Sequence, residues 1–489
     1  MKKIFLNWKF WLLTATLIFV LLSSFFYYRA NRYKVLDRTA FSDLISETSE
    51  AAKEGFESQE QLSSYITSWA DRNSLEYKID KAGNIIFDTA AIDRKKNVSP
   101  TVIVAGLNYR TASHSVNLIA SAAAIASADL ESGRKTVIFV NDENSSGNGY
   151  KHLSKKIIGD KSKVIYLDEG NKAYISVHSF AESVAEISMP AKKEDASLDT
   201  AVKIHISGIV SKDVSPENSV SMPDPLNAFG GLLTRLKTRS IVYRVSDFSV
   251  GSSNNMYPDS LDACIMLNSY SVESFKKNLD KQSKDWLRDF SKDNPDLAIT
   301  YEVIESKDML PKKCYDAATS DLLAKLLYTI TGNTYKFSEN DAIPENSYEG
   351  DYSGVNAVMN LEDAGTVIKL RIMSQGYDDL FLDRIVIDNR AAAEMLECSF
   401  KETERYAAFD NKKNSLFRTF RTTYSKVHSS SEKAELAAYS DSCFTPCSYL
   451  AEKNDKVDVI HLRISKKSAA NLTNTLMCYI KSKGNTFSL

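Results

Sequence analysis

The sequence predicts an α/β fold, a mixed sheet with flanking helices, and three observations carry that prediction. The runs TVIVAG from Thr101, TVIFVNDEN from Thr136 and KVIYLDEG from Lys163 have the length and β-branched content of buried strands. A small-residue helical run, LIASAAAIASADL from Leu118, separates the first two. The second and third runs end in carboxylates, Asp142-Glu143 and Asp168-Glu169. Strand ends are where open α/β sheets carry their sites.

The elements follow in order. Arg38–Glu54 and Ser58–Asn73 have helical spacing, with Phe41, Leu44 and Ile45, then Leu62, Tyr65, Ile66 and Trp69, as apolar faces. LEYKIDKAGNIIFDTA reads as two short strands around an Ala82-Gly83-Asn84 turn. After the three strands come the strand-like runs AYISVHSF and SVAEISM, then a charged linker at Pro190–Ser197. From Thr200 the order is strand, helix, strand, strand, helix, strand, ending near Ser306, which fits a ferredoxin-like α+β unit. Residues 307–489 resume the first part with a helix, a strand pair around an acidic turn, two more helices and a closing amphipathic helix. The predicted division is an N-terminal tail and anchor (1–34), a split main domain (35–195 and 307–489) and an inserted lid (196–306).

A chain of 489 residues exceeds one ordinary core. With 61 basic against 63 acidic residues and no arginine-rich block, nucleic acid is excluded as a partner. Phe10–Tyr28 holds no charge and is close to the ~20 residues that span a bilayer core. Tryptophans and tyrosines sit at both its ends, and no A-x-A-like cleavage site follows. The expectation is a single-pass membrane anchor with the globular part extracytoplasmic. The six cysteines form no C-x-x-C pair, so a zinc ribbon is unsupported; Cys443 and Cys447 are readable as a local disulfide or as buried thiols.

Several strings occur in the order found in one family. EYKIDKAGNIIF, ISGIV, PLNAFGGLLTRL and NNMYPDSLDACIML resemble segments of the zinc exopeptidases that include Xaa-His dipeptidase and the carnosine-type dipeptidases. The resemblance covers nearly all the chain after residue 34. It implies two zinc ions held by His, Asp and Glu, with a separate Glu as general base. Carried over position by position, it places Leu107 and Tyr109 where a His and an Asp belong. Val116 stands at the bridging Asp, followed by Asn117. Asp142 stands at the general base, and Glu143 and Asp168 stand at ligand positions. The lid run Val210-Ser211-Lys212-Asp213 lacks the expected histidine. The lid turn keeps Asn255, but Asp259 replaces its arginine. The last histidine ligand is missing from its loop, and His461 falls inside the strand VDVIHLRI.

Loss of the bridge and of both histidines implies loss of zinc-dependent hydrolysis, and no cofactor is expected. A rewired single-metal site of His114, Glu143 and Asp168, with His178, is the sharper alternative; a loop histidine and a sheet histidine without ligand roles is the plainer one. The carboxylates admit calcium or stand as remnants. Asn144–Gly149 lacks the G-K-[ST] ending of a phosphate loop. The functional expectation is a non-catalytic, membrane-anchored relative that binds a peptide, an amino-acid-like ligand or a partner. The alternatives are an active metallo-dipeptidase or aminopeptidase with a rearranged zinc site, and a scaffold that dimerises through the lid by its Leu226–Arg239 helix or the neighbouring strand.

Overall fold

Four parallel strands form the centre of the structure, a computed structural model. It describes residues 11–24, 33–89, 100–130, 134–143, 147–160, 162–210, 212–251, 256–330, 332–337, 352–411, 414–428, 436–441, 443–454 and 456–484. The parallel strands lie side by side as Lys135–Asn141, Thr101–Leu107, Lys163–Glu169 and Asp458–Ile464. The sheet extends to eight strands, with the antiparallel Lys78–Ile79 and Ile85–Thr89 hairpin on one side and, on the other, Tyr174–Ser176, antiparallel, followed by Ala438–Tyr439, parallel to it. Thr101–Leu107 is buried at nearly every position, as a strand covered on both faces must be.

Helices cover one face through Leu62, Ile66 and Trp69 of Gln59–Arg72, Ile119 and Ala122 of Val116–Ser127, Phe420 of Ser415–Val427 and Leu476 of Ala469–Gly484. The small side chains of Val116–Ser127 let it lie close between Arg38–Glu54 and Ala469–Gly484. Its C-terminal carbonyls are satisfied by Lys135, whose Nζ donates to Ile125 O at 2.5 Å, Ala126 O at 3.0 Å and Ala128 O. Burial pushes the Lys135 ammonium down to about 8, yet these carbonyls keep it solvated. Lys135→Met leaves those carbonyls without a donor, and urea unfolding is expected to show a loss of about 1–3 kcal/mol.

A second sheet of five antiparallel strands runs Asn333–Lys336, Tyr352–Asp363, Val367–Gly376, Ala181–Pro190 and Ser399–Tyr406. A third holds four antiparallel strands in the order Tyr243–Gly251, Ser260–Leu267, Thr200–Ser207, Ala298–Ile304. In chain order that is 2-3-1-4, the arrangement of a ferredoxin-like unit, and it lies in sequence between strands of the second sheet. One apolar cluster runs through both sheets, from Ile187 and Ile372 to Ile204 and Leu233.

Two expectations are corrected. Pro190–Ser197 is more than a linker: Lys193–Asp195 pairs antiparallel with Lys313–Tyr315. The chain leaves for the third sheet and returns along the same line, so the two crossings satisfy each other's backbone groups. The single-pass anchor and the membrane localisation drawn from it are not supported. Among the described residues no helix is long and apolar enough to cross a membrane. The described part of the expected span is a helix at residues 11–24. Phe10 and residues 25–28 of that span lie outside the described residues. The helix named as a dimer contact, Pro225–Thr238, buries Leu226, Phe229, Leu233 and Leu236 inside the chain and packs on Ala317–Ile330.

Candidate functional site

The ends of the parallel strands open onto a cleft of about 260 Å³. Three other segments complete its wall. Asp213–Asn218 comes from the third-sheet unit, Glu182 and Gln375 from the five-stranded sheet, and Cys443–Tyr449 from a loop and short helix near the C-terminus. Gln375 ties these together: its Nε2 donates to Glu182 Oε2 and to Val214 O, both at 3.0 Å, and its Oε1 accepts from Phe444 N at 3.2 Å.

At the third strand end, Asp168 is engaged by a cation of the chain itself. Parallel register sets Arg463 opposite Asp168, and its Nε and Nη2 donate to Asp168 Oδ2 at 2.8 and 2.6 Å. The guanidinium also lies 5.1 Å from the centre of the Tyr174 ring. Burial would raise the Asp168 carboxyl, but Arg463 and then His461 outweigh it and hold the group well below the usual carboxylate range.

His461 sits two residues before Arg463, fully buried, so both face the same side of their strand. Its Nδ1 meets both carboxylate oxygens of Asp441 at 2.9 Å, and its Nε2 lies 3.7 Å from Asp168 Oδ2. Tyr174 donates its hydroxyl to Asp441 at 2.7 Å. Burial opposes a charge on the ring, yet Asp441 and Asp168 raise the imidazole net. The result is a chain of side chains running from Asp441 through His461 and Asp168 to Arg463, fully buried at Asp441 and His461 and partly exposed at its other end.

At the second strand end Asp142 faces the cleft. Burial pushes its carboxyl up to about 7; Asp213 and Glu182 add to the rise, and a bond from the Gly147 backbone opposes it. Gly147 has φ +66, and a Cβ there would strike the Tyr449 ring at 2.3 Å. The glycine therefore sets both the turn and the approach of that ring. Glu182 is likewise raised to about 7 by burial, against its bond from Gln375. At the first strand end, Gly106 leaves room for the Tyr150 hydroxyl, which lies 2.4 Å from where a Cβ would stand, with Asp142 Oδ2 at 4.0 Å from the same point.

The residues singled out in the sequence divide. Asp142 and Asp168 both line the cleft, while Glu143 is half-buried and outside its lining. His114 is exposed on the short helical turn Tyr109–His114, and His178 is buried against the Tyr377 ring at 4.4 Å; neither lines the cleft. Asn117 is buried and donates to Glu169 Oε1 at 2.5 Å, and Leu118 N donates to Glu169 Oε2 at 2.9 Å. Glu169 thus caps the N-terminus of Val116–Ser127, where a carboxylate also meets the positive end of the helix dipole. Leu107 is 2 % exposed in the core of the sheet. Asn255 and Ser211 lie outside the described residues. Among the described residues no three His, Cys, Asp or Glu side chains are grouped to hold a metal ion.

Sequence reasoning missed Arg463, Asp441, Tyr150 and Glu182. The alternation HLR in VDVIHLRI was the available signal, since it puts His461 and Arg463 on one face of a strand. Their partners, Asp168 on a neighbouring strand and Asp441 in a loop, lie 295 and 20 residues away in sequence.

No protein-family model and no curated protein sequence matches the chain. Solved structures do. The aminoacylhistidine dipeptidase of Vibrio alginolyticus superposes with a TM-score of 0.56 at 13% identity, over 87% of this chain and 93% of that one. A tripeptidase from Staphylococcus aureus gives 0.45 at 9%, over 92% and 99%. A dinuclear metal-binding peptidase of the M20 family from Bacillus subtilis gives 0.42 at 10%, over 92% and 100%. The chain has the zinc-exopeptidase fold; at this identity the likeness is one of fold alone.

Proposed function

We propose that this chain is a peptidase-fold binding protein whose cleft holds a peptide or amino-acid-like ligand without two-metal hydrolysis. The observation that carries the reading is the Arg463–Asp168 pair. A guanidinium bonded to Asp168 at 2.8 and 2.6 Å supplies the positive charge that a zinc ion would supply to a ligating carboxylate. The remaining side chains do not fit a two-zinc site. Leu107 and Val116 offer no donor atom, and Glu169, adjacent to Asp168, is spent on a helix N-terminus. No metal-dependent step is assigned to the chain. What remains is a carboxylate- and tyrosine-lined cleft at the strand ends, where α/β sheets bind ligands.

The test is metal content and turnover together. Protein equilibrated with excess zinc and desalted is expected to retain well under one equivalent and to leave aminoacyl-histidine dipeptides intact. Stoichiometric zinc, with hydrolysis abolished by a chelator and by Glu143→Ala, overturns the proposal in favour of a rearranged metallopeptidase site.

A further inference from the structure

We infer that the group entering the cleft is an alkylammonium, and that any carboxylate of the ligand stays outside. This rests on the ligand-binding reading above and names the end of the ligand that is recognised.

Charge sets the preference. Four carboxylates from three segments, Asp142, Glu182, and Asp213 with Glu217, line the cleft. The nearby cations are engaged within the chain: Arg463 is bonded to Asp168, and Lys151 Nζ is 2.7 Å from Glu404 Oε2. A ligand carboxylate placed here meets like charge at low dielectric, whereas an ammonium meets opposite charge.

Unpartnered atoms give the position. The Tyr150 side chain is 1 % exposed and lines the cleft, and its hydroxyl has no hydrogen-bond partner. Asp142 Oδ1 is buried and also without a partner. The Tyr150 hydroxyl and the other oxygen of that carboxylate, Asp142 Oδ2, both lie within 4.0 Å of one point over Gly106. A buried hydroxyl and a buried carboxylate oxygen left unsatisfied each cost free energy, and an ammonium with three donors satisfies both at once. Aromatic rings complete the surroundings, Tyr150 stacked at 6.2 Å on Tyr449 and edge-on at 6.0 Å to Tyr166.

The chain uses the same combination on itself a short distance away. The Lys151 ammonium lies 4.8 Å from the Tyr406 ring and 5.2 Å from the Tyr449 ring, with the Glu404 carboxylate beside it. Carboxylate and ring face together are what a desolvated ammonium requires.

Such an amine has two sources, a peptide N-terminus or a free alkyl diamine. Isothermal titration of the full chain with glycylglycinamide, 1,5-diaminopentane and N-acetylglycine separates them. At least one amine is expected to bind and N-acetylglycine to give no heat. Asp142→Asn is expected to weaken the amine at least about tenfold, the loss of one charge-assisted bond. Asp213→Asn, at the exposed rim, reads the same preference should Asp142→Asn misfold. Binding of N-acetylglycine as tight as the amines, no amine binding at millimolar concentration, or amine affinity unchanged in both variants overturns the inference. Those results without zinc-dependent turnover leave the non-catalytic reading standing; turnover that requires zinc removes that reading itself.

Discussion

Arg463→Met is expected to lower the unfolding free energy by about 3–5 kcal/mol, because it strands Asp168 as an uncompensated charge at a mostly buried position. Two donors to Asp168 disappear at once, and the carboxylate then faces Asp441 across His461 with less positive charge between them. Methionine matches the arginine stem in length, so the loss reads the charge more than the packing. The double variant Arg463→Met/Asp168→Leu is expected to recover most of the loss, since apolar side chains replacing both partners remove the stranded charge. Urea unfolding of the single and double variants checks this. A single variant within about 0.5 kcal/mol of the parent chain would show the pair to be no more than a surface ion pair.

Stability is expected to fall as pH rises from about 4 to about 7, through Asp142 and Glu182. Both carboxyls are raised to about 7 in the folded chain by burial, from ordinary values near 4. The folded state therefore holds protons that the unfolded state releases across this window. Their favourable contribution is complete below the unfolded pKa and is gone once pH passes the folded pKa. Asp142→Asn/Glu182→Gln removes both titrations. The variant is expected to be more stable than the parent by roughly 2–4 kcal/mol at pH 8 and nearly equal to it at pH 4. Thermal unfolding at the two pH values measures the difference, and a gain that is the same at both would remove these carboxyls as its source. An enhancement confined to high pH is also what a ligand site maintained against stability looks like.

Much of the scaffold was legible because its signals are local. The helices Arg38–Glu54 and Gln59–Arg72 follow from apolar spacing and from Asp37 and Ser58, whose side chains accept from the first backbone N–H groups. The strands at Thr101 and Lys163 follow from runs of β-branched residues, and the four strands between Thr200 and Ile304 from alternation and turns. The apolar run from Phe10 was legible as hydrophobic, but among the described residues no helix is long and apolar enough to cross a membrane. The pairing of Lys193–Asp195 with Lys313–Tyr315 was hidden because a charged edge strand has no apolar alternation to read.

By itself the sequence determined which side chains stand at or next to the ends of the first three parallel strands: Leu107, Asp142 and Asp168. Those identities are chemical facts that no packing alters. The tertiary structure alone decided what the surviving carboxylates do. Asp168 meets Arg463 only because parallel pairing sets Lys163–Glu169 in register with a strand 295 residues on, and His461 reaches Asp441 by the same placement. Asp142 is raised by burial, and Asp213 and Glu182, from two other parts of the chain, add to the rise. A carboxylate's charge state depends on its neighbours in space, and for these two residues the decisive neighbours are distant in sequence.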